Sequence, residues 1–442
     1  MTRTYLFQPW SHGVGFGYIG RALTIATELR AAGHRCVFAC DAAEGLVARS
    51  GFEIATQRGA HSRAVPDMGR RQGSYVSISD LDTAFAIAGY YHRHRVLEDV
   101  RSDLETLDEV RPDAVVVDMQ PTAAIAARSR GIPLISVGDS DFFRSTDNSW
   151  MPWIDGGATV RPYPSCVPAF NAAIEQVGGP TVEHVCDLLR GDLTLVASTP
   201  ELEAGQEPLP TGDDIRFIGP VFWDPPWTTV ADDLRGFGEG RRKVYITLGH
   251  GGKSTADQLK PILEACDDPG IAVFLSHGFR GDHAPALPGN VRAGVFTGIS
   301  APIGWSDLVV NHGGYSTVLT SLQQGKPQVV IPFMSEQEAN GVLFVEGNDA
   351  GFVLRRTEPA TGNAHYTHRL RYSGLSADGG YDAGEWRLAV EEALGDPRFA
   401  LGAARAADRM RPWIEGRSFP DLFDRFHGGR LPSAALSTPL EA

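Results

Sequence analysis

The run Val309-Val-Asn-His312-Gly313-Gly314-Tyr-Ser316-Thr317 sets two glycines between the end of an apolar strand and a pair of hydroxyl residues that open a helix. Glycine lets a ligand approach the backbone closely, and the N–H groups of a helix N-terminus attract an anion. This is the composition of a phosphate site, with Ser316 and Thr317 as helix caps and His312 as an added donor. After the next apolar run, Glu336 and Gln337 supply a carboxylate and an amide, the polar fork that holds sugar hydroxyls. A second glycine-rich loop, Ser11-His12-Gly13-Val-Gly15-Phe-Gly17-Tyr18-Ile-Gly20-Arg21, also joins a strand to a helix and also offers N–H groups to an anion. It contains Gly15-x-Gly17-x-x-Gly20, with Asp41 about 20 residues on, and so formally matches a dinucleotide fingerprint. Pro9, Trp10, Ser11 and His12 separate those glycines from the strand, which counts against that match. On this loop alone an NAD-dependent dehydrogenase and a purely structural turn both stay open.

Four groups are candidates to take up a proton. His12 titrates near neutrality. Asp118 closes Pro112-Asp-Ala-Val-Val-Val-Asp118 and stands at the carboxyl end of a strand, where open α/β sheets bind ligands. Asp139 and Asp141, in Gly138-Asp-Ser-Asp-Phe142-Phe143, share that edge. His12 and Asp118 are preferred over the other two, although each could equally cap a turn or a helix.

Positioning these groups requires two sheets. Short apolar runs alternate with amphipathic stretches, which predicts α/β architecture with parallel strands at Thr4–Phe7, Arg35–Ala39, Ala114–Val117, Leu134–Val137 and Leu193–Ala197. Ala22, Leu23, Ile25, Ala26 and Leu29 lie on one helical face, and Gly33 follows as a C-cap. Gly219-Pro-Val-Phe-Trp-Asp-Pro-Pro-Trp breaks the pattern and predicts a linker over 219–240. A second block then predicts strands at Val244–Leu248, Ala272–Leu275, Val291–Val295, Leu308–Asn311 and Gln328–Ile331. The expected units are a first domain over 1–218, the linker, a second domain over 241–410 with a glycine-rich loop insertion at 355–384, and a tail over 411–442.

With 42% hydrophobic and 21% charged residues the chain is of ordinary globular composition, not disordered or collagenous. Forty basic against 54 acidic residues leave a formal charge of −14, a poor match for nucleic acid. Five scattered cysteines are no disulfide framework, and neither a signal-like apolar start nor an 18-residue apolar run is present; a cytoplasmic protein with no integral membrane segment is expected. No metal-binding spacing is seen and no metal or bound cofactor is expected; oligomeric state, including a homodimer, is left open.

Taken together, the first loop with its helix ending Ala32-Gly33-His34, the strand ending at Asp118, Val244-Tyr-Ile-Thr-Leu-Gly249, Leu287-Pro-Gly-Asn-Val291 and above all His312 to Asn340 resemble the GT-B glycosyltransferases of the family-1 and MurG-like type. The resemblance covers most of the chain. It implies two Rossmann-like domains facing a cleft, a UDP- or dTDP-sugar donor as co-substrate, a small-molecule acceptor, and a tail that crosses back to the first domain. It assigns the diphosphate to His312, Gly313, Gly314, Ser316 and Thr317, with Gly15, Gly17 and Gly249 on the donor side, the sugar to Glu336 and Gln337, and the base to backbone near Val295, Phe296 and Thr297. Thr320 stands where many such enzymes carry an acid that holds ribose, which tilts the donor towards deoxythymidine. Tyr18 replaces a histidine that acts as base in relatives reading Gly-His-Ile-Gly-Arg, and a phenol of ordinary pKa ~10 is a poor base at neutrality. An epimerase or hydrolase acting on a nucleotide sugar with this fold, or a binding protein without turnover, therefore also stays open. Acceptor contacts are expected from Tyr18, from Tyr90-Tyr-His-Arg-His94-Arg, from Asp141 and Phe142, and from Trp150-Met-Pro-Trp153. Asp139, Asp141, Asp147 and Asp155 beside those aromatics point to a cationic acceptor such as an aminoglycoside or aminonucleoside antibiotic intermediate, reached by inverting, metal-independent transfer.

Overall fold

The computed structural model describes residues 1–10, 17–40, 44–56, 80–144, 164–203, 209–228, 230–249, 262–277, 287–295, 298–332, 335–354 and 383–429. Seven strands form the first sheet: β1 (Thr4–Pro9), β2 (Arg35–Phe38), β3 (Glu53–Ile54), β4 (Ala114–Asp118), β5 (Leu134–Gly138), β6 (Leu193–Val196) and β7 (Ile215–Phe217). Six form the second: β8 (Arg242–Thr247), β9 (Ile271–His277), β10 (Val291–Val295), β11 (Leu308–Asn311), β12 (Gln328–Val330) and β13 (Gly351–Val353). Their orders are β3-β2-β1-β4-β5-β6-β7 and β10-β9-β8-β11-β12-β13, and the pairings are parallel throughout. Central strands such as β4, buried at every position, are apolar runs because both faces are covered. β3, β7 and β13 are two or three residues long and carry no periodicity of their own; pairing with a neighbour makes them strands.

Each sheet reverses its winding direction once. In the first sheet this happens between β1 and β4, where Pro9 lies beside Asp118, and in the second between β8 and β11, where Thr247 lies beside Asn311. Ligands of doubly wound sheets bind at the carboxyl ends of the strands at such a point. Asp118 at the end of β4 and His312 directly after β11 therefore occupy equivalent positions in the two halves.

Helix α1 (Gly17–Ala31) packs Ile19, Ala22, Leu23, Ile25, Ala26 and Leu29 into the core and ends at Gly33 with φ +90°. Its hydrophobic cluster also holds Val318, Leu319 and Leu322 of α2 (Tyr315–Gln323) and Phe419, Leu422 and Phe423 of the last helix, α3 (Phe419–His427), so both halves and the tail share one core. α3 packs on the first half: Phe423 meets Tyr5 edge-on at 5.2 Å, Asp424 pairs with Arg3, and the Phe419 N–H donates to Glu28 at 3.3 Å. The segment after β7 is held by both halves. Thr24 donates to the Phe222 carbonyl at 2.7 Å, and the Asp224 carboxylate accepts from the Ile299 N–H at 2.8 Å. Residues 355–382, most of the expected insertion, lie outside the described residues, and the helix after them begins at Ala383.

Candidate active site

The turn after β11 is built by amides. Asn311, fully buried, accepts from the Gly313 N–H at 2.8 Å and donates to Gln328 at 2.9 Å. Asn340 donates to the Gly313 carbonyl at 2.9 Å and to Glu336 at 2.6 Å. Gly313 has φ +87°, and a Cβ there would run into the Gln337 carbonyl, so only glycine fits. The residue that caps α2 is Gly314, with extended backbone and no side-chain cap bond; the expectation that Ser316 and Thr317 cap the helix is corrected. Both sit in the first turn, and the N–H groups there are left to a ligand. The His312 ring lies between two glycines: a Cβ on Gly249 would stand 2.9 Å from its Nε2, and one on Gly314 2.6 Å. Gly314→Ala keeps a backbone that alanine tolerates but displaces the imidazole. We expect near-normal melting together with at least about tenfold weaker dTDP or UDP binding by titration calorimetry, the loss of one charge-assisted hydrogen bond.

Across the cleft, the first residue of α1 faces this turn. A Cβ on Gly17 would be 3.2 Å from Ser316 Oγ. Two helix N-termini thus converge from the two halves, the polarity an anionic diphosphate requires.

Behind them lies a buried ionic cluster. Arg21 in the first turns of α1 donates from Nε to Asp118 Oδ2 at 2.8 Å and from Nη2 to Asp118 Oδ1 at 3.1 Å, and also pairs with Asp139. Arg21, Asp118 and Asp139 are 3%, 3% and 6% exposed. The guanidinium lies over the Tyr18 ring at 5.3 Å and over the Tyr315 ring of α2 at 5.6 Å, while the Tyr315 hydroxyl donates to the Ala197 carbonyl at 2.9 Å. Burial raises Asp118 from its usual 3.8 to about 7 against the pull of Arg21, and raises Asp139 as well. Tyr18 is pushed well above the usual phenol range by burial and by Asp139, Glu336 and Asp118, so it is no base.

The other expected site residues fall into three groups. His12, Gly15, Trp150 and Phe296, with Asp41, Asp147, Asp155 and Thr297, lie outside the described residues; Val295 ends β10, with nothing described of its side chain. Gly17, Gly249, His312, Gly313, Gly314, Ser316, Thr317, Glu336 and Gln337 gather at the convergence of α1 and α2, with Glu336 and Gln337 on the helix Ser335–Asn340. Two acceptor expectations are corrected. Tyr90 is fully buried against Trp10, Phe85 and Phe170, and Phe142 is 1% exposed beneath Gly138, so both are core. Asp141, 6% exposed, opens the short helix after β5. Thr320 is fully buried and donates to the Ser316 carbonyl at 2.7 Å, so its hydroxyl belongs to the helix. Arg21 and Tyr315 received no role from the sequence. A guanidinium among Ala22, Leu23 and Ile25 on a buried helix face was the available signal, because such a charge needs a buried partner.

Comparison with known proteins decides what this cleft belongs to. Residues 290–362 match the Glycosyltransferase family 28 C-terminal domain. The chain is 25% identical over 358 residues to a "PGL/p-HBAD biosynthesis glycosyltransferase" of Mycobacterium tuberculosis, covering 74% of this chain and 73% of that one. It is 26% identical over 418 residues to the demethyllactenocin mycarosyltransferase of Streptomyces fradiae, covering 89% and 83%. The solved calicheamicin glycosyltransferase CalG4 superposes with a TM-score of 0.70 at 18% identity over 98% of this chain and all of that one, and the spinosyn forosaminyltransferase SpnP with 0.67 at 18% over 97% and 100%. The chain is a glycosyltransferase of the GT-B fold. Its relatives include natural-product, rhamnosyl- and mycarosyltransferases. That identification sets aside the dehydrogenase alternative for the first loop. Among the described residues of the enzyme, no helix is long and apolar enough to cross a membrane, and the five cysteines are buried.

Proposed function

We propose that the enzyme transfers a sugar from a dTDP- or UDP-linked donor to a hydroxyl of a small natural-product acceptor. The observation that carries this reading is the convergence of the α1 and α2 N-termini, Gly17 against Ser316, with His312 fixed between Gly249 and Gly314. In this reading the diphosphate lies on the α2 side, its charge offset by helix N–H groups and His312, and transfer needs no metal. Glu336 and Gln337 hold the sugar. Deoxythymidine is favoured over uridine because Thr320, spent on its own helix, offers ribose no partner. A spinosyn rhamnosyltransferase of TM-score 0.61 and 18% identity has been solved in complex with thymidine diphosphate, in keeping with this choice.

An acceptor bound against the first half attacks the anomeric carbon from the side opposite the departing diphosphate. The acceptor oxygen forms the new bond as the carbon–phosphate oxygen bond breaks, so configuration inverts. The hydroxyl proton passes to Asp118 or His12, a carboxylate near neutrality being matched to this task. Asp118 ends β4, and Asp139 and Asp141 follow β5, an acidic sheet edge that favours an amine-bearing acceptor such as an aminoglycoside or aminonucleoside.

The test is release of dTDP or UDP from labelled donors with and without acceptors, in EDTA. We expect release that depends on the acceptor, survives EDTA, and is faster with amine-bearing acceptors than with neutral macrolides. Free or epimerised sugar from donor alone would replace the transferase reading with hydrolysis or epimerisation, and turnover of neutral acceptors only would end the cationic-acceptor reading.

A further inference from the structure

Arg21 is the point at which the two halves of the enzyme touch the same buried charge. It leaves α1, binds both oxygens of Asp118 at the end of β4 and one of Asp139 after β5, and is covered on two sides by the rings of Tyr18 and Tyr315. Tyr315 is the first residue of α2, directly after Gly314, and its hydroxyl bonds to Ala197 in the first half. The helix that follows the donor turn and the carboxylate proposed to take up the proton therefore meet at one guanidinium.

We propose that Arg21 is a positioning residue for the transfer reaction, one that orients Asp118 through a two-point clamp and ties the ionisation of that carboxylate to the seating of the donor half over the acceptor half. The proposal rests on the functional reading above. Its physical basis is that Arg21, which clamps Asp118, is buried beneath rings from both halves. With Tyr315 in place, burial holds Asp118 and Asp139 above the usual carboxylate range and Arg21 opposes that rise. If Tyr315 moved away, water would reach the cluster and both acids would fall towards ordinary values. The groups that face the cluster are Tyr18 from α1, Asp139 from the β5 edge, Tyr315 from α2, Glu336 from the helix after β12, which acts on Tyr18, and Glu203 after β6, which acts on Tyr315.

The experiment measures kcat/KM and donor KM against pH for the wild type and for Arg21→Lys, Asp139→Asn and Tyr315→Leu. Lysine keeps the charge but cannot form the two-point clamp. We expect Arg21→Lys to lose at least about tenfold in kcat with donor KM within about threefold, and its acid limb to move up by about one pH unit as hydrogen bonds to the ionised form are lost. Asp139→Asn removes the competing carboxylate, and its acid limb moves down. Tyr315→Leu lets water in, and its acid limb also moves down. Acid limbs that coincide with that of the wild type in Arg21→Lys and Asp139→Asn, whatever activity is lost, overturn the proposal and leave Arg21 a structural residue. A wild type that turns over no donor with any acceptor instead overturns the functional reading.

Discussion

Replacing His312 by alanine lowers kcat/KM by about 10²- to 10³-fold, the loss found when one preorganised donor is removed from a developing oxyanion. The charge that grows in the transition state is on the departing diphosphate, and in the proposed function His312 is the side chain that meets it beside the α2 N-terminus. The ring is half-buried between glycines, and the turn itself is held by Asn311, Asn340 and Gly313, none of which depends on the imidazole. The melting temperature of His312→Ala should therefore stay within a few degrees of wild type, while kcat falls more than donor affinity. Steady-state kinetics with a fixed acceptor and varied dTDP-sugar checks this. An unchanged kcat would remove His312 from the transition state.

The second large effect is on stability. Arg21→Gln leaves Asp118 and Asp139 facing each other in a site from which water is excluded, and breaking such a buried pair costs about 3–5 kcal/mol. The loss has a pH sign. Both carboxylates have raised values in the folded enzyme, Asp118 from 3.8 to about 7, so the folded state holds protons that the unfolded chain has already released. Stability from these groups is complete below about pH 4 and is lost as pH rises through 7. The Arg21→Gln penalty should accordingly be large at pH 8 and smaller at pH 5, where the acids can stay protonated. Urea midpoints at the two pH values read this directly, and a penalty that grows on acidification would contradict the cluster as described.

How much of this was legible in the sequence depended on whether a residue's role was local. His312 to Thr317 is a strand end, two glycines and a helix start in one continuous run, so its chemistry could be read without knowing anything distant. Gly314 rather than Ser316 capping the helix was missed because the turn is set by Asn311 and by Asn340, 26 residues beyond Gly314 in sequence. The aromatic stretch at Tyr90 and the pair at Phe142 read as an acceptor wall in the sequence because aromatic residues suit a core and a binding surface equally. Only the packing of Trp10, Phe85 and Phe170 around Tyr90 decides between them. Asp118 is visible as a carboxylate at a strand end, but its partner Arg21 is 97 residues away and the ring over that guanidinium, Tyr315, comes from the other half. Ionic clusters assembled by topology leave only an indirect trace, a charge standing on an apolar helix face.

In the proposed function the converging helix N-termini form a pyrimidine nucleoside diphosphate site. The direct measurement is the thermal shift of the wild type and of Gly314→Ala with dTDP, UDP, GDP, ADP and NAD. Ligand at 100 times its Kd stabilises the native state by about 2.7 kcal/mol. The wild type should show a clear shift with dTDP, a smaller one with UDP and none with NAD, and tenfold weaker binding in Gly314→Ala should cut the dTDP stabilisation at the same ligand concentration to about 1.4 kcal/mol, half that of the wild type or less. A shift with NAD alone, or an equal dTDP shift in both proteins, would contradict this reading.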